Sequence, residues 1–251
     1  MADAAVLTLP AAESDFSIGR CFTRTFNVLT RHFLMFSAVM AVAAAPSVAL
    51  IGVVPTINSS NSLRAGVIVL VATFLSGILG ILGQAVVVHG AFQDMRHRPV
   101  DFTESLKVGL SRFFPVLGLA ILVMLGMWLG FMLLIIPGLI LMVRWYIAAP
   151  ACVVERIGPR ASMKRSAELT KGHRWKVFGA IILLYMGAGI ATQVVTTSFT
   201  TMGGPMLGLA GSLIAQSITG AFVAIFVVVT YYELRVAKEG VDIDQIASVF
   251  D

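Results

Sequence analysis

Apolar residues run in long blocks, and the charged residues fall almost entirely between them. A membrane-crossing helix needs about 20 mostly apolar residues. Blocks of that length occupy 33–54, 65–92, 113–154, 175–198 and 206–232. The third contains no acidic residue. As one helix its 42 residues would measure ~63 Å, about two hydrocarbon cores. Pro137-Gly138 is a strong turn signal inside it, so it divides into 113–136 and 139–154. Gly203-Gly204-Pro205 separates the last two blocks. The pattern predicts an all-α, polytopic membrane protein with six transmembrane helices. Residues 15–235 form a single membrane domain, 1–14 a flexible N-terminal tail and 236–251 a C-terminal tail.

Three shorter segments carry a different pattern. Ile18, Phe22, Phe26, Leu29 and Phe33 step by four, four, three and four, which marks one helix face. Phe102, Leu106, Leu110 and Phe113 repeat the first three steps after Asp101 and Glu104 in capping-box spacing. Met163, Ala167 and Thr170 form a weaker third copy after Pro159, a residue suited to a first helical turn. Each segment also carries basic residues, and each precedes span 1, 3 or 5. Basic amphipathic helices beside a span lie in the headgroup layer. A threefold pattern of interfacial helix, span, span is expected.

Composition agrees. The chain is 58% hydrophobic and 12% charged, against roughly 45–50% and about 25% in soluble domains. That excludes an ordinary soluble fold, and it excludes disorder. The net charge of +5 acquires meaning from its placement. Sixteen of the 18 basic residues precede span 1, follow span 6 or fall after spans 2 and 4. Arg64 is alone on the other side, and Arg144 lies inside a span. The positive-inside rule puts both termini in the cytoplasm, with a bacterial inner membrane as the expected location. Basic loops of this kind indicate membrane lipids as partners, not nucleic acid.

The remaining chemistry is sparse. Cys21 and Cys152 make no CxxC, and no histidine cluster stands near them, so neither a disulfide framework nor a metal site is expected. No cofactor motif is present. The N-terminus has no basic region before its short apolar run and is a poor signal peptide. Asn58-Ser59-Ser60 fits a glycosylation sequon, which a bacterial inner membrane makes irrelevant. There is no GxSxG, HExxH or P-loop, and nearly every carboxylate falls outside the spans.

Arg144 is the most informative residue. An arginine within a span costs about 2.5–3.5 kcal/mol on insertion scales, so it faces a partner or water. One reading is a cation that holds an anionic group, with Gln84, Gln193 and Gln216 converging on the same polar cavity. The other is an arginine that snorkels beside Trp145 or ties down carbonyls freed by Pro137 or Pro150, with the glutamines bonding between helices. A second candidate set is the basic loop after span 4, where Arg160, Lys164, Arg165, Lys171, Arg174 and Lys176 could contact lipid or a partner. His89 is read as an interfacial histidine in preference to a proton relay. Gly77, Gly80 and Gly83, and the GxxxG pairs Gly126/Gly130 and Gly204/Gly208, are read as sites of close helix approach within the bundle.

Residues 136–184 carry a resemblance. Pro137-Gly138, Arg144-Trp145, Pro150, Glu155, Gly158-Pro159, Lys164-Arg165-Ser166, Leu169, Gly172, Trp175 and Phe178-Gly179 are similar to the membrane domain of glycerophosphoryl diester phosphodiesterases and its stand-alone bacterial relatives. Tyr231-Tyr232-Glu233-Leu234-Arg235 and Glu239-Gly240 are similar as well, and Ala167 departs from an aromatic in that family. The resemblance implies the membrane architecture without the hydrolase, whose TIM barrel would need about 250 residues of its own. The expected role is a non-catalytic scaffold or accessory domain that contacts anionic lipid or a partner through its basic helices. The competing role is a transporter or lipid-handling protein with a polar site around Arg144. An enzyme acting on a lipid headgroup comes third, because no acid-base pair is placed for it.

Overall fold

The computed structural model describes residues 16–53, 62–96 and 98–239. The N-terminal tail, the sequon, His97 and residues 240–251 lie outside the described residues, while 236–239, expected to be tail, continue the last helix. Every regular element among the described residues is a helix: α1 (Ile18–Arg31), α2 (Phe33–Val53), α3 (Ser62–Met95), α4 (Phe102–Ser111), α5 (Phe113–Leu133), α6 (Ile135–Trp145), α7 (Ala148–Val154), α8 (Pro159–Leu169) and α9 (Arg174–Glu239). Five helical stretches are long and apolar enough to cross a membrane: α2, α3, α5, the α6–α7 stretch Ile135–Val154, and α9.

α9 is too long to be one rod. Its 66 residues would measure ~99 Å if straight. It breaks at Gly203 and Gly204, the second at φ +74°, a region open to glycine but costly for other residues. Beyond the break the chain folds back on itself. Thr192 Oγ1 meets Thr219 Oγ1 at 3.2 Å. A Cβ added at Gly208 would strike Thr200, and one at Gly211 would strike Phe199.

The turn in the 113–154 block falls three residues before its expected place. Leu134 is extended (φ −168°, ψ 155°), and Pro137-Gly138 sit in the first turn of α6. The physical reason is that proline lacks only an N–H that a first helical turn leaves unbonded anyway. Leu134 itself keeps both backbone bonds, donating to the Gly130 carbonyl and accepting from Gly138 N–H. Glycines close the hairpin: a Cβ at Gly126 would lie 2.5 Å from the Trp145 ring, and one at Gly138 would lie 2.5 Å from Phe131. Around the turn Trp128, Met132, Leu133, Ile135 and Ile136 are exposed, a surface suited to hydrocarbon. The block then breaks again at Tyr146-Ile147, between α6 and α7. A Cβ added at Gly77 or Gly80 would meet nothing within 4 Å, so among the described residues their expected role in close packing is not met.

The core sits at one end of the bundle. Ala85, Val87, Val88 and Ala91 of α3 share one buried cluster with Ile147 before α7, Ala151 and Cys152 within it, Val177 and Ala180 at the start of α9, and Ile225–Val229 near its end. The other end splays, with Val67–Val71 and Phe74 of α3 exposed.

The three amphipathic segments are all helical, but their buried faces differ from the expected stripes. α1 buries Cys21, Thr25, Val28 and Leu29, while Phe26 of the stripe is 62% exposed. α4 packs through Ser105 and Gly109 and leaves Phe102, Leu106 and Leu110 exposed. α8 buries Ser162, Ser166 and Leu169. In α4 the two smallest side chains let the helix lie close on its neighbours, which turns the larger apolar residues outward, whereas α1 and α8 each bury a leucine beside their small residues.

Candidate functional site: a cationic pocket at the start of α8 and α9

α8 follows a short link from α7, with Gly158 as N-cap and Pro159 in its first turn. Two of its hydroxyls bond back within the helix and one bonds outward. Ser162 Oγ donates to the Gly158 carbonyl at 2.9 Å, and Thr170 Oγ1 donates to the Ser166 carbonyl at 2.9 Å. Ser166 Oγ reaches across 22 residues to the Arg144 carbonyl at 2.7 Å. That carbonyl belongs to the last turn of α6, where helical acceptors run out of partners. The bond fixes α8 against the end of α6. Gly172, at φ +93°, then turns the chain from α8 into α9.

These contacts gather cations from four places. A cavity of about 640 Å³ is lined by Arg144 of α6, Arg160 and Lys164 of α8, Lys171 of the turn and Arg174 of α9. Glu168 is the one carboxylate on its wall, and it lies 3.9 Å from Lys164 in a mostly exposed pair. Among the described residues no carboxylate pairs with Arg144, Arg160, Lys171 or Arg174. Arg144 Nε is buried and has no hydrogen-bond partner. A buried donor of this kind demands an explanation, since the great majority of such groups are bonded. Trp145, Met163 and Ala167 complete the wall.

The structure therefore merges two sets that the sequence kept apart. Arg144, Arg160, Lys164, Lys171 and Arg174 share one cavity. Arg165 does not belong to it. Its Nε donates to both carboxylate oxygens of Glu155 (2.9 and 3.2 Å), and its Nη2 donates to Glu239. Tyr231 OH donates to Glu155 at 2.7 Å, and Arg235 donates to Glu239 at 2.8 Å. Burial lowers the affinity of Arg165 for its proton, but the two carboxylates outweigh it and the guanidinium is held above its ordinary value. Lys176 is exposed on the first turn of α9, off the pocket wall.

The glutamines do not converge on Arg144. Gln193 is exposed and donates to Thr197 at 3.3 Å. Gln84 and Gln216 are half-buried in α3 and α9, and neither lines the cavity. The reason is the break after Trp145, which leaves Arg144 on the α8 side and not in the bundle interior. Met163 and Ala167, expected on a membrane-facing stripe, line the pocket instead. Glu168 was missed. Its signal was present: 160, 164 and 168 step by four and four, so one face of α8 carries Arg160, Lys164 and Glu168 to the wall.

Other chemistry is absent or absorbed. Among the described residues no group of three histidine, cysteine or acidic side chains could hold a metal ion. His89 Nδ1 meets Ser105 Oγ at 3.3 Å, and Gln93 lies 3.5 Å from its other nitrogen, so its visible partners are neutral. Burial, then the charge of Glu233, pushes the Cys21 thiol up to about 12, which keeps it protonated and unreactive.

Alongside the pocket lies an apolar groove of about 450 Å³, walled by Ile136, Leu139, Ile140, Val143, Trp175 and Phe178 and touching Arg174. No curated protein and no solved structure matches the chain. A sequence model described as a domain of unknown function, DUF7847, matches residues 16–234. That match spans the helices from α1 into the last turns of α9, pocket included, and the chain belongs to the DUF7847 family.

Proposed function

We propose that this chain is a non-catalytic membrane domain that captures a phosphate-bearing anion at its cytoplasmic face. The observation that carries the reading is the charge imbalance of the pocket: five cationic side chains against one carboxylate, with Arg144 Nε buried and unbonded. Arginine forks match phosphate geometry, and lysines add point charge. Nothing on the pocket wall offers an acid-base pair, because Glu168 is engaged by Lys164 and no histidine is present.

The topology that goes with this reading is six spans in a bacterial inner membrane, with the two halves of α9 counted separately and both termini cytoplasmic. The uneven placement of the basic residues supports it. On this reading the outward apolar faces of α1 and α4 rest in the headgroup layer. The resemblance to the phosphodiesterase membrane domain enters as architecture, and the role is that of a scaffold or accessory domain.

Two measurements test it. Inorganic phosphate titrated against the detergent-solubilised chain, followed by phosphorus NMR line broadening, is expected to bind saturably and weaken with salt. Arg144→Gln is expected to weaken it about tenfold, as loss of a charged hydrogen bond implies, while Lys107→Gln on α4 leaves it unchanged. Equal binding in all three proteins would sink the reading. For topology, single cysteines in a background free of Cys21 and Cys152 are expected to label from the cytoplasmic side at position 171 and from the opposite side at position 203.

A further inference from the structure

The groove and the pocket are neighbours by construction. Ile136, Leu139, Ile140 and Val143 step by three, one and three along α6, so they form one apolar stripe. The next residue after that stripe is Arg144, on the pocket wall. The same order holds across the gap. Arg174 touches both spaces, and Trp175 and Phe178 continue from it along the groove. Trp175 is 85% exposed, and among the described residues its indole makes one ring contact, an edge contact to Phe178 with ring centres 6.1 Å apart. Two elements that meet at a cation therefore each run from charge into hydrocarbon-lined space. A free phosphate would use the pocket and leave the groove bare. A molecule with an anionic head and an alkyl chain uses both.

We infer that the occupant is an anionic lipid, its phosphate headgroup among Arg144, Lys171 and Arg174 and one acyl chain along the groove between α6 and the start of α9. The inference rests on the anion-capture reading above and adds the chain. Charge complementarity selects the head, since a zwitterionic headgroup brings its own cation into a pocket that already holds five. The groove orients the molecule, and its continuity with Arg174 fixes where head and chain join.

The test uses the full chain and separates head from tail. The probes are phosphatidic acid, phosphatidylcholine and inorganic phosphate, with the two lipids read by native mass spectrometry and phosphate by phosphorus NMR. The wild-type chain is expected to retain one phosphatidic acid at least fivefold more than phosphatidylcholine. Ile140→Trp, which fills the groove, is expected to cut phosphatidic acid retention at least fivefold and leave phosphate binding as it was. Trp175→Ala removes an exposed groove wall without touching the core, and the same split is expected, so a misfolded Ile140→Trp does not end the test. If both groove variants keep phosphatidic acid at the wild-type level, the lipid inference is overturned and the pocket stands as a site for a soluble phosphate. If Arg144→Gln leaves phosphate and phosphatidic acid equally well bound, the pocket reading itself has failed.

Discussion

Two basic regions on the same side of this protein are built from the same residue types and do opposite things. Beside α1, Glu233 is 5% exposed and is clasped by Arg24 at 2.9 Å and Arg20 at 3.5 Å. Arg24 also lies over the Tyr232 ring, 5.3 Å from its centre. A step away, Arg165 and Arg235 are matched by Glu155 and Glu239. In those clusters the chain supplies the acid. Around Arg144 it supplies five cations and one acid. The difference shows that a count of basic residues says little about their role. What matters is where the few carboxylates were placed. Cations given a carboxylate hold helices together, and cations left without one line a cavity.

The sharpest way to break the comparison is to remove an acid from the satisfied region. Glu233→Gln removes the carboxylate that Arg20 and Arg24 share. Breaking a buried pair costs about 3–5 kcal/mol, but both arginines are half-exposed, so about 2 kcal/mol is expected, read as a drop in thermal midpoint. The next largest effect is in the unsatisfied region and has the other signature. Lys171→Gln should weaken phosphate binding several-fold with no loss of thermal stability, because no internal partner is lost. A drop in stability would mean that the pocket cations are structural after all. Smaller again is Ser166→Ala, which removes the bond to the Arg144 carbonyl. About 1 kcal/mol of stability is expected to go, together with a weaker phosphate affinity as α8 loosens from α6.

The smallest effect is in pH. Burial raises the Glu239 carboxyl, but its bonds to Arg235 and Arg165 outweigh that and hold it below its usual 4.5. A carboxyl lowered by folding stabilises at pH above its unfolded value, and that contribution fades as pH falls through the folded one. The thermal midpoint should therefore decline below about pH 4.5, and Glu239→Gln should flatten the decline. Phosphate binding at the pocket should not share that acid limb beyond the protonation of phosphate itself, since lysine and arginine stay charged there. A matching loss of pocket affinity that follows Glu239 would tie the two regions into one cluster.

Much of the fold was legible because apolar length is a strong signal. α2 spans Phe33–Val53 against an expected 33–54, and the Gly203-Gly204 turn lies where composition put it. The turn at Leu134 was misplaced because proline marks either a break or a first helical turn, and spacing alone does not separate them. The site was half legible. Each of its five cations was a candidate, but as members of two unrelated sets. The missing fact was that α8 folds back onto α6, which is decided by Ser166 meeting a carbonyl 22 residues earlier. The glutamines failed for the complementary reason. A polar residue in an apolar helix has a face, but the sequence does not say which neighbour that face meets.

The turns at Leu134 and at Gly203-Gly204 carry no charged residue. On the topology proposed above, an electric field across the bilayer therefore does no work on either hairpin tip as it enters. The seven basic residues between 156 and 176 are in the opposite position. Drawing each of them outward against an inside-negative potential costs about 2.3 kcal/mol per 100 mV. On that topology the membrane's own voltage adds to the anchoring of the segment that lines the pocket, and collapsing that voltage would remove the contribution without changing a single contact.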